Sequence, residues 1–438
     1  MVRLYYFTAA LMFCVLLGSQ AFGSFVFSSS ERGSTEIRWT RRVIRVAVSN
    51  SLSDTAPNIK KGSNVTEAVK RSLATWENEL GVRFQVVSSD AANVSPTGNS
   101  GDGISLITAA PTAENLQIFG ENAQHLPAMT RIFFDRRGRI TEADIVLNPI
   151  FQFSTDGTFG TYDLESVLVH EIGHLLGLDH PPISAGVMSS QVARNGLYGV
   201  EQLSGRQLSF ADVAQLRSIY GSTSRYEECC GEIRGKVTRE ERTANDDIIW
   251  LEDAETGRIA GSALVGDRGQ FSVKGLSSGL YSIYLRTTGD DGSVTDEFIE
   301  TIELATGESF SMDVAPQNTF ASNTLEFLGA MGQMSNVPVQ AEPGGSLLLQ
   351  LAGRVEKRPF SIGSSSPYIM IENDPKADQS LSERLGVVSV EIRIDEETPA
   401  GHYSIFIRSS DGSRSYMPGA IVVSESRETS LLRNPQKN

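Results

Sequence analysis

The sequence predicts a multidomain chain in which one mixed α+β region is followed by two all-β sandwich regions. Its 438 residues exceed what a single ordinary domain holds. Residues 36–222 mix strand and helix signals. After residue 222 the texture changes to short apolar runs parted by turn residues, the pattern of sandwich folds.

Taken in order, Val43 to Val48 is a β-branched run and predicts a strand. Over residues 65–80, Val65, Ala68, Val69, Leu73, Trp76 and Leu80 recur at helical spacing and predict an amphipathic helix. Val82 to Val87 and Ile104 to Thr108 predict further strands. Met129 to Phe134 and Arg139 to Leu147, joined by Asp135-Arg136-Arg137-Gly138, predict a hairpin. Asp163 can cap a helix over Leu164 to Leu176 that stops at Gly177, and Leu208 to Tyr220 predicts a second helix ending at Gly221. Turns at Thr256-Gly257, Asp267-Arg268-Gly269, Ser278-Gly279 and Gly289 to Gly292 punctuate residues 230–315. Pro343-Gly344-Gly345, Pro399-Ala400-Gly401 and Asp411-Gly412 do the same for residues 320–425. The polar tail 426–438 reads as disordered.

The 40% hydrophobic and 21% charged content is that of a folded globular protein, and a net charge of −15 argues against nucleic acid or anionic membrane as the main partner. At the amino terminus Arg3 precedes an apolar run from Leu4 to Leu17, then Gly18, Ser19, Ala21 and Gly23. Residues 1–23 therefore read as a secretory signal peptide, and the expected location is extracellular. The run is shorter than the roughly 20 residues a spanning helix needs, and no later segment is long and apolar enough to span a bilayer. Cleavage would remove Cys14 and leave Cys229 and Cys230. Neighbouring Cα atoms lie about 3.8 Å apart, so the pair can close a strained ring, link two chains in a disulfide-bonded dimer, or stay reduced. Zinc ligation by them lacks a further cysteine.

The segment that carries chemistry is His170-Glu171-Ile172-Gly173-His174-Leu175-Leu176-Gly177-Leu178-Asp179-His180. Residues four apart share a helix face, so His170 and His174 can offer their imidazoles to one ion. Gly177 lets the backbone turn and return His180 as a third ligand. Three protein ligands with a fourth position open describe a catalytic zinc site rather than a structural one. Glu171, one residue beyond the first ligand, can reach a water on the metal and act as general base. Three of the chain's five histidines occupy these positions, and Met188 follows in Gly186-Val187-Met188, where a methionine turn beneath the zinc is expected.

These residues resemble the metzincin metallopeptidases, and the surroundings resemble the matrixin branch through Arg38-Trp39, Trp76, Gly177 to His180, and Leu208-Ser209 to Ile219-Tyr220-Gly221. The resemblance covers residues 36–222. It implies a twisted, mostly parallel sheet, an active-site helix, and a substrate strand along the cleft edge. Pro181 after the third histidine also fits the serralysin branch, the runner-up. That branch carries a tyrosine two residues beyond the methionine, where Ser190 stands, and glycine-aspartate calcium repeats that are absent here. Ser189 and Ser190 replace the family's frequent proline-tyrosine wall. The inhibitory cysteine segment of animal matrixins is missing, and no motif supports calcium. His125, alone, reads as structural or surface.

Residues 230–315 resemble the carboxypeptidase regulatory-like sandwich through Gly235-Lys236-Val237, Thr256-Gly257, Gly269-Gln270-Phe271 and Gly279-Leu280-Tyr281. Residues 320–425 are similar to immunoglobulin-type modules. Both read first as spacers, and second as binding a surface, polysaccharide or protein substrate. The expected partner of the whole is a protein or peptide substrate. The alternatives are an adhesion or binding protein on a degenerate peptidase scaffold, and a toxin-like protease with one dedicated substrate. Asn64-Val65-Thr66 and Asn93-Val94-Ser95 fit the glycosylation pattern but read as turn and loop.

Overall fold

The computed structural model describes residues 26–27, 36–79, 81–96, 101–197, 205–221, 229–239, 247–289, 292–316, 321–330, 332–355, 360–372, 376–380 and 385–424. The expected signal peptide and polar tail lie outside the described residues.

The amino-terminal part is built on six strands: β1 (Val26–Phe27), β2 (Val43–Ser49), β3 (Arg83–Ser89), β4 (Ser105–Thr108), β5 (Ala128–Phe134) and β6 (Ile140–Leu147). They lie in the order β1-β5-β6-β4-β2-β3, and only β5–β6 is antiparallel. The mostly parallel sheet is therefore as the resemblance implies. Asp135 makes the hairpin between β5 and β6: its carboxylate accepts from the Arg137 and Arg139 amides, while its carbonyl accepts from Gly138. In β2, Ile44 and Val46 face inward and Val43 and Arg45 outward, the period-two pattern of a strand.

Against the sheet pack α1 (Val65–Glu77) and α3 (Leu164–Leu175), preceded by a short α2 (Ala113–Gln117) and the strand pair β7 (Phe153–Ser154) and β8 (Tyr162–Asp163). Helix α1 buries Val65, Ala68, Val69, Ser72, Leu73 and Trp76, and the Asn64 side chain caps it by accepting from the Glu67 amide. It ends at Glu77, short of the expected residue 80, although the Asn78 amide still bonds Ala74 O. The two-residue strands and α2 were not expected; each is too short for a periodic signal. The second expected helix is α4 (Phe210–Tyr220), which begins after Ser209 rather than at Leu208 because Ser209 is its cap.

Two pairs of sheets follow. β9 (Cys229–Val237), β10 (Ile248–Asp253), β11 (Ile259–Leu264), β12 (Gln270–Ser277), β13 (Gly279–Thr288), β14 (Val294–Leu304) and β15 (Ser309–Val314) form a four-stranded and a three-stranded sheet, ordered β11-β10-β13-β14 and β12-β9-β15. Ile249, Leu251, Ile283 and Leu285 from the first meet Ile233, Val237, Phe271 and Val273 from the second in one core, a sandwich. The terminal part comprises β16 (Thr324–Ala330), β17 (Gln333–Ser335), β18 (Val339–Ala341), β19 (Ser346–Arg354), β20 (Phe360–Ser364), β21 (Ile369–Ile371), β22 (Lys376–Ser380), β23 (Gly386–Ile394), β24 (Gly401–Ser409) and β25 (Arg414–Val423). Its two sheets run β17-β16-β19-β23-β21, with β22 also on β23, and β18-β25-β24-β20. They share a core that includes Leu349, Leu351, Val390, Ile392, Ile405 and Ile407.

Cys229 and Cys230 are bonded to each other, which leaves neither sulfur for a partner chain and corrects the disulfide-linked dimer among the expectations. Adjacency favours this outcome, because the partner thiol is permanently within reach.

The three parts are packed on one another. A separate apolar cluster joins Ile183, Ala185 and Ala211 to Trp250, Ile259 and Tyr284 of the middle sandwich and Tyr416 of the terminal one. Beneath it, Glu252 of β10 accepts from the hydroxyls of Ser365 (2.8 Å), Ser404 (2.6 Å) and Tyr284 (3.2 Å). Asp296 of β14 is held by Arg286, by the Trp250 indole and by the Tyr416 amide. Buried polar bonds across a seam keep its two sides in one arrangement.

Candidate metal centre and cleft

Helix α3 carries the first two histidines, and its sequence holds it in place at both ends. Asp163 caps it by accepting from the Ser166 amide (3.0 Å), and Arg206 clamps the same carboxylate through two nitrogens (2.8 and 2.6 Å). At the other end, Gly177 donates to His174 O and Leu178 to Gly173 O, the paired bonds of a glycine-terminated helix. Gly177 has φ +93°, and a Cβ there would strike Ile37 O, so the expected turn glycine is required twice over. The remaining terminal carbonyls are satisfied by the Trp39 indole on Leu175 O (2.9 Å) and the Tyr220 hydroxyl on Leu176 O (2.7 Å). Trp76 reaches across from α1 to Val169 O (2.8 Å).

The turn at Gly177 returns His180 to the first two histidines. Nε2 of His170 lies 3.0 Å from Nε2 of His174 and 3.2 Å from Nε2 of His180. The Nδ1–H of His170 donates to Val187 O (2.7 Å) and that of His174 to Leu178 O (2.9 Å), since a carbonyl can only accept. This leaves unprotonated Nε2 atoms of both rings turned toward one another. Burial pushes His170 down to about 3, with His180 beside it adding to the effect, and pushes His180 down to about 4. His174 is driven well below the usual range, again chiefly by burial. The three could hold a metal ion, their donor atoms all lying within 4.8 Å of one another. The donor set fits zinc: neutral imidazoles, two of them with the second nitrogen tied to a carbonyl, and converging lone pairs that repel unless a cation sits among them.

Met188 is fully buried under this group. A Cβ at Gly173 would collide with Met188 Sδ and Trp76, so the methionine packs directly on the helix at the one residue there without a side chain. The loop carrying it is held from α4: the Asp212 carboxylate accepts from the amides of Val187 (2.9 Å), Met188 (3.1 Å) and Ser209 (2.7 Å).

Glu171 is 5% exposed, and burial raises it to about 7. The Thr130 hydroxyl on β5 donates to its Oε2 (2.5 Å) and pulls in the opposite direction. A cavity of about 40 Å³ lies against Glu171 and the three histidines, more than the roughly 10–15 Å³ that one water needs. Ser190 and Val192 line it from the loop after Met188, Val167 from α3, and His125 from the turn before β5. The exposed His125 thus stands on the surface, as expected, and also borders the cleft.

All six expected site residues, His170, Glu171, His174, Gly177, His180 and Met188, meet here. Thr130, Gly173 and Asp212 were missed. Asp212 had a signal, the Ser209–Asp212 spacing of a reciprocal cap, which the structure contains. Thr130 had none, because its place depends on β5 lying beside α3.

The matrixin family model (peptidase M10) matches residues 38–221. No curated protein matches the chain. Similar solved structures include a carboxy-terminal 282-residue fragment of intimin in complex with the intimin-binding domain of the translocated intimin receptor. It shares 13% identity over 41% of this chain and 54% of that one, with a TM-score of 0.15. SGBP-B of the Bacteroides ovatus mixed-linkage glucan utilization locus, in complex with a mixed-linkage heptasaccharide, shares 15% identity over 44% of this chain and 43% of that one, with a TM-score of 0.15. The chain spans about half the length of these structures, and neither likeness bears on its fold or function. Residues 38–221, which contain the histidine triad, Glu171 and Met188, are similar to the matrixins, and that similarity supports a metallopeptidase-type function.

Proposed function

We propose that this chain is a secreted zinc-dependent endopeptidase that hydrolyses peptide bonds of extracellular proteins, with Glu171 as general base and His170, His174 and His180 as the zinc ligands. The observation that carries this reading is the triad itself, whose Nε2 atoms converge within 3.2 Å of His170 while two Nδ1 atoms are committed to carbonyls. Zinc bound there supplies a Lewis acid that polarises the scissile carbonyl and makes a water acidic near neutral pH.

The chain's own residues do the rest. Glu171 takes the proton from the attacking water at Oε1, the oxygen left open by the Thr130 bond, and passes it to the leaving amine. Thr130 fixes the carboxylate's rotation. The substrate backbone lies along β5 near Ala128–Thr130, beside the cavity; β1 pairs further on, at Arg131 and Ile132. Met188 and Gly173 set the floor of the site, and Gly177 sets the angle at which His180 enters. Ser190 and Val192 form the wall of the cavity next to the scissile bond. Residues 230–315 and 320–425 form two sandwiches packed on the amino-terminal part that supply no group to the hydrolysis itself. A binding protein on a degenerate scaffold would have no use for a buried carboxylate held in position by Thr130.

The test is a purified mature chain assayed for bound zinc and for cleavage of a general protein substrate. Glu171→Ala is expected to keep its zinc while cleavage falls by about 10²–10⁴-fold. His180→Ala should lose zinc while both sandwiches stay folded. A wild-type chain without zinc, or one cut to Ala at Glu171 with undiminished cleavage, would end this reading.

A further inference from the structure

Next to the metal centre opens a second and far larger space, a crevice of about 990 Å³. It starts at His170 and Val187 and passes Gln191 of the loop beyond Met188. Its opposite wall belongs to the terminal sandwich: Val337 and Gln340 beside and on β18, and His402 at the start of β24. The volume stands at the upper end of ligand pockets, about 300–1,000 Å³, and far exceeds one amino-acid side chain.

This wall is held in place. The Gly186 amide donates to His402 Nε2 (3.1 Å), across 216 residues of sequence. Gly419 of β25 sits so close to Ser184 O that a Cβ would collide with it. The same region is closed from behind by the cluster of Ile183, Ala185, Trp250 and Tyr416. The terminal sandwich thus abuts the loop that carries Met188, and the crevice between them borders the cleft, with His170 and Val192 lining both.

The lining has no single chemical bias. Arg206 is already paired with Asp163 and Arg258 with Asp253, and Glu79, Glu342 and Arg217 add charges of both signs to the lining. Apolar Val337, Pro338 and Val192 lie between them. A small anion or a lone apolar ligand would leave most of such a surface unmatched, whereas an extended polypeptide offers backbone amides and mixed side chains along its length.

We propose that this crevice receives the stretch of substrate adjoining the scissile bond, so that the terminal sandwich is part of the substrate-binding cleft and selects extended, unfolded polypeptide over short peptides. This rests on the peptidase reading. Val337 and Gln340 are the specificity-determining positions, more than 140 residues from the catalytic motif in sequence and facing the same groove.

The experiment compares wild type with Val337→Trp and, separately, Gln340→Trp, both at half-buried positions that line the crevice. Each is assayed on a reduced, alkylated protein and on a short fluorogenic peptide. The ratio of kcat/KM for protein over peptide should fall about tenfold, chiefly through KM for the protein. An unchanged ratio in both variants overturns the proposal. Independently, the reduced protein bound to Glu171→Ala should slow amide exchange over residues 337–341 as well as 186–192; protection confined to 186–192 overturns it too. A wild-type chain that cuts neither substrate removes the peptidase reading, and this assignment with it.

Discussion

Thr130 and Glu171 meet through a single hydroxyl, and that bond separates a carboxylate that is aimed from one that is merely buried. Thr130→Val keeps the β-branched side chain and removes the donor. The expected outcome is a fall in kcat of about tenfold with zinc content unchanged, read from steady-state kinetics beside metal analysis. An unchanged kcat would show that packing alone orients Glu171. At this scale the convergence of the three histidines was legible in the sequence because their spacing is local: His170 and His174 are one helical turn apart, and Gly177 signals the turn that returns His180. Thr130 was not legible, being 41 residues from Glu171 and placed by strand order rather than by spacing.

Among the elements, α4 has the most consequence for its length. Its first turn is a reciprocal cap in which Ser209 and Asp212 satisfy each other's amides, and the same Asp212 carboxylate holds the amides of Val187 and Met188. Burial raises Asp212, while the amide bonds from Ser209, Val187 and Met188 oppose that. Asp212→Ala removes an acceptor from buried donors, at about 1–3 kcal/mol for groups left unpaired. It is expected to lower the urea midpoint and also to speed zinc loss to a chelator, since Met188 loses its support. Ser209→Ala should cost about 1 kcal/mol of stability and leave zinc release nearly as in wild type. Equal chelator kinetics in the two variants would mean that α4 stabilises the fold without bearing on the metal centre. The sequence signalled α1, α3 and α4 well, because each buries a periodic face or carries a cap; α2 and the β7–β8 pair fall below the length at which periodicity can be read.

For the whole molecule, the seam between the two sandwiches turns on Glu252, which burial pushes up to about 7 against an ordinary 4.5. Below pH 4.5 the folded and unfolded chains both hold this proton. Between 4.5 and 7 the folded chain retains a proton that the unfolded chain has lost, so stability falls as pH rises through that window and levels off above it. The slope is up to about 1.4 kcal/mol per pH unit. Glu252→Gln should flatten it in urea unfolding of the full chain between pH 5 and 7; an identical slope in the variant would assign the dependence elsewhere. Asp296, held by Arg286 in the same seam, is common to both chains and cancels in the comparison. The tight docking of the three parts was the least legible feature, because Glu252, Trp250 and Tyr416 have ordinary strand patterns and acquire partners only across the seams.

The bond between the Gly186 amide and His402 also has a meaning in time. A chain made from its amino terminus presents the histidine motif early, yet the loop carrying Met188 finds this support only once β24 has emerged and folded. Until then Asp212 of α4 is the brace already in place on that loop, and the terminal sandwich adds the last one.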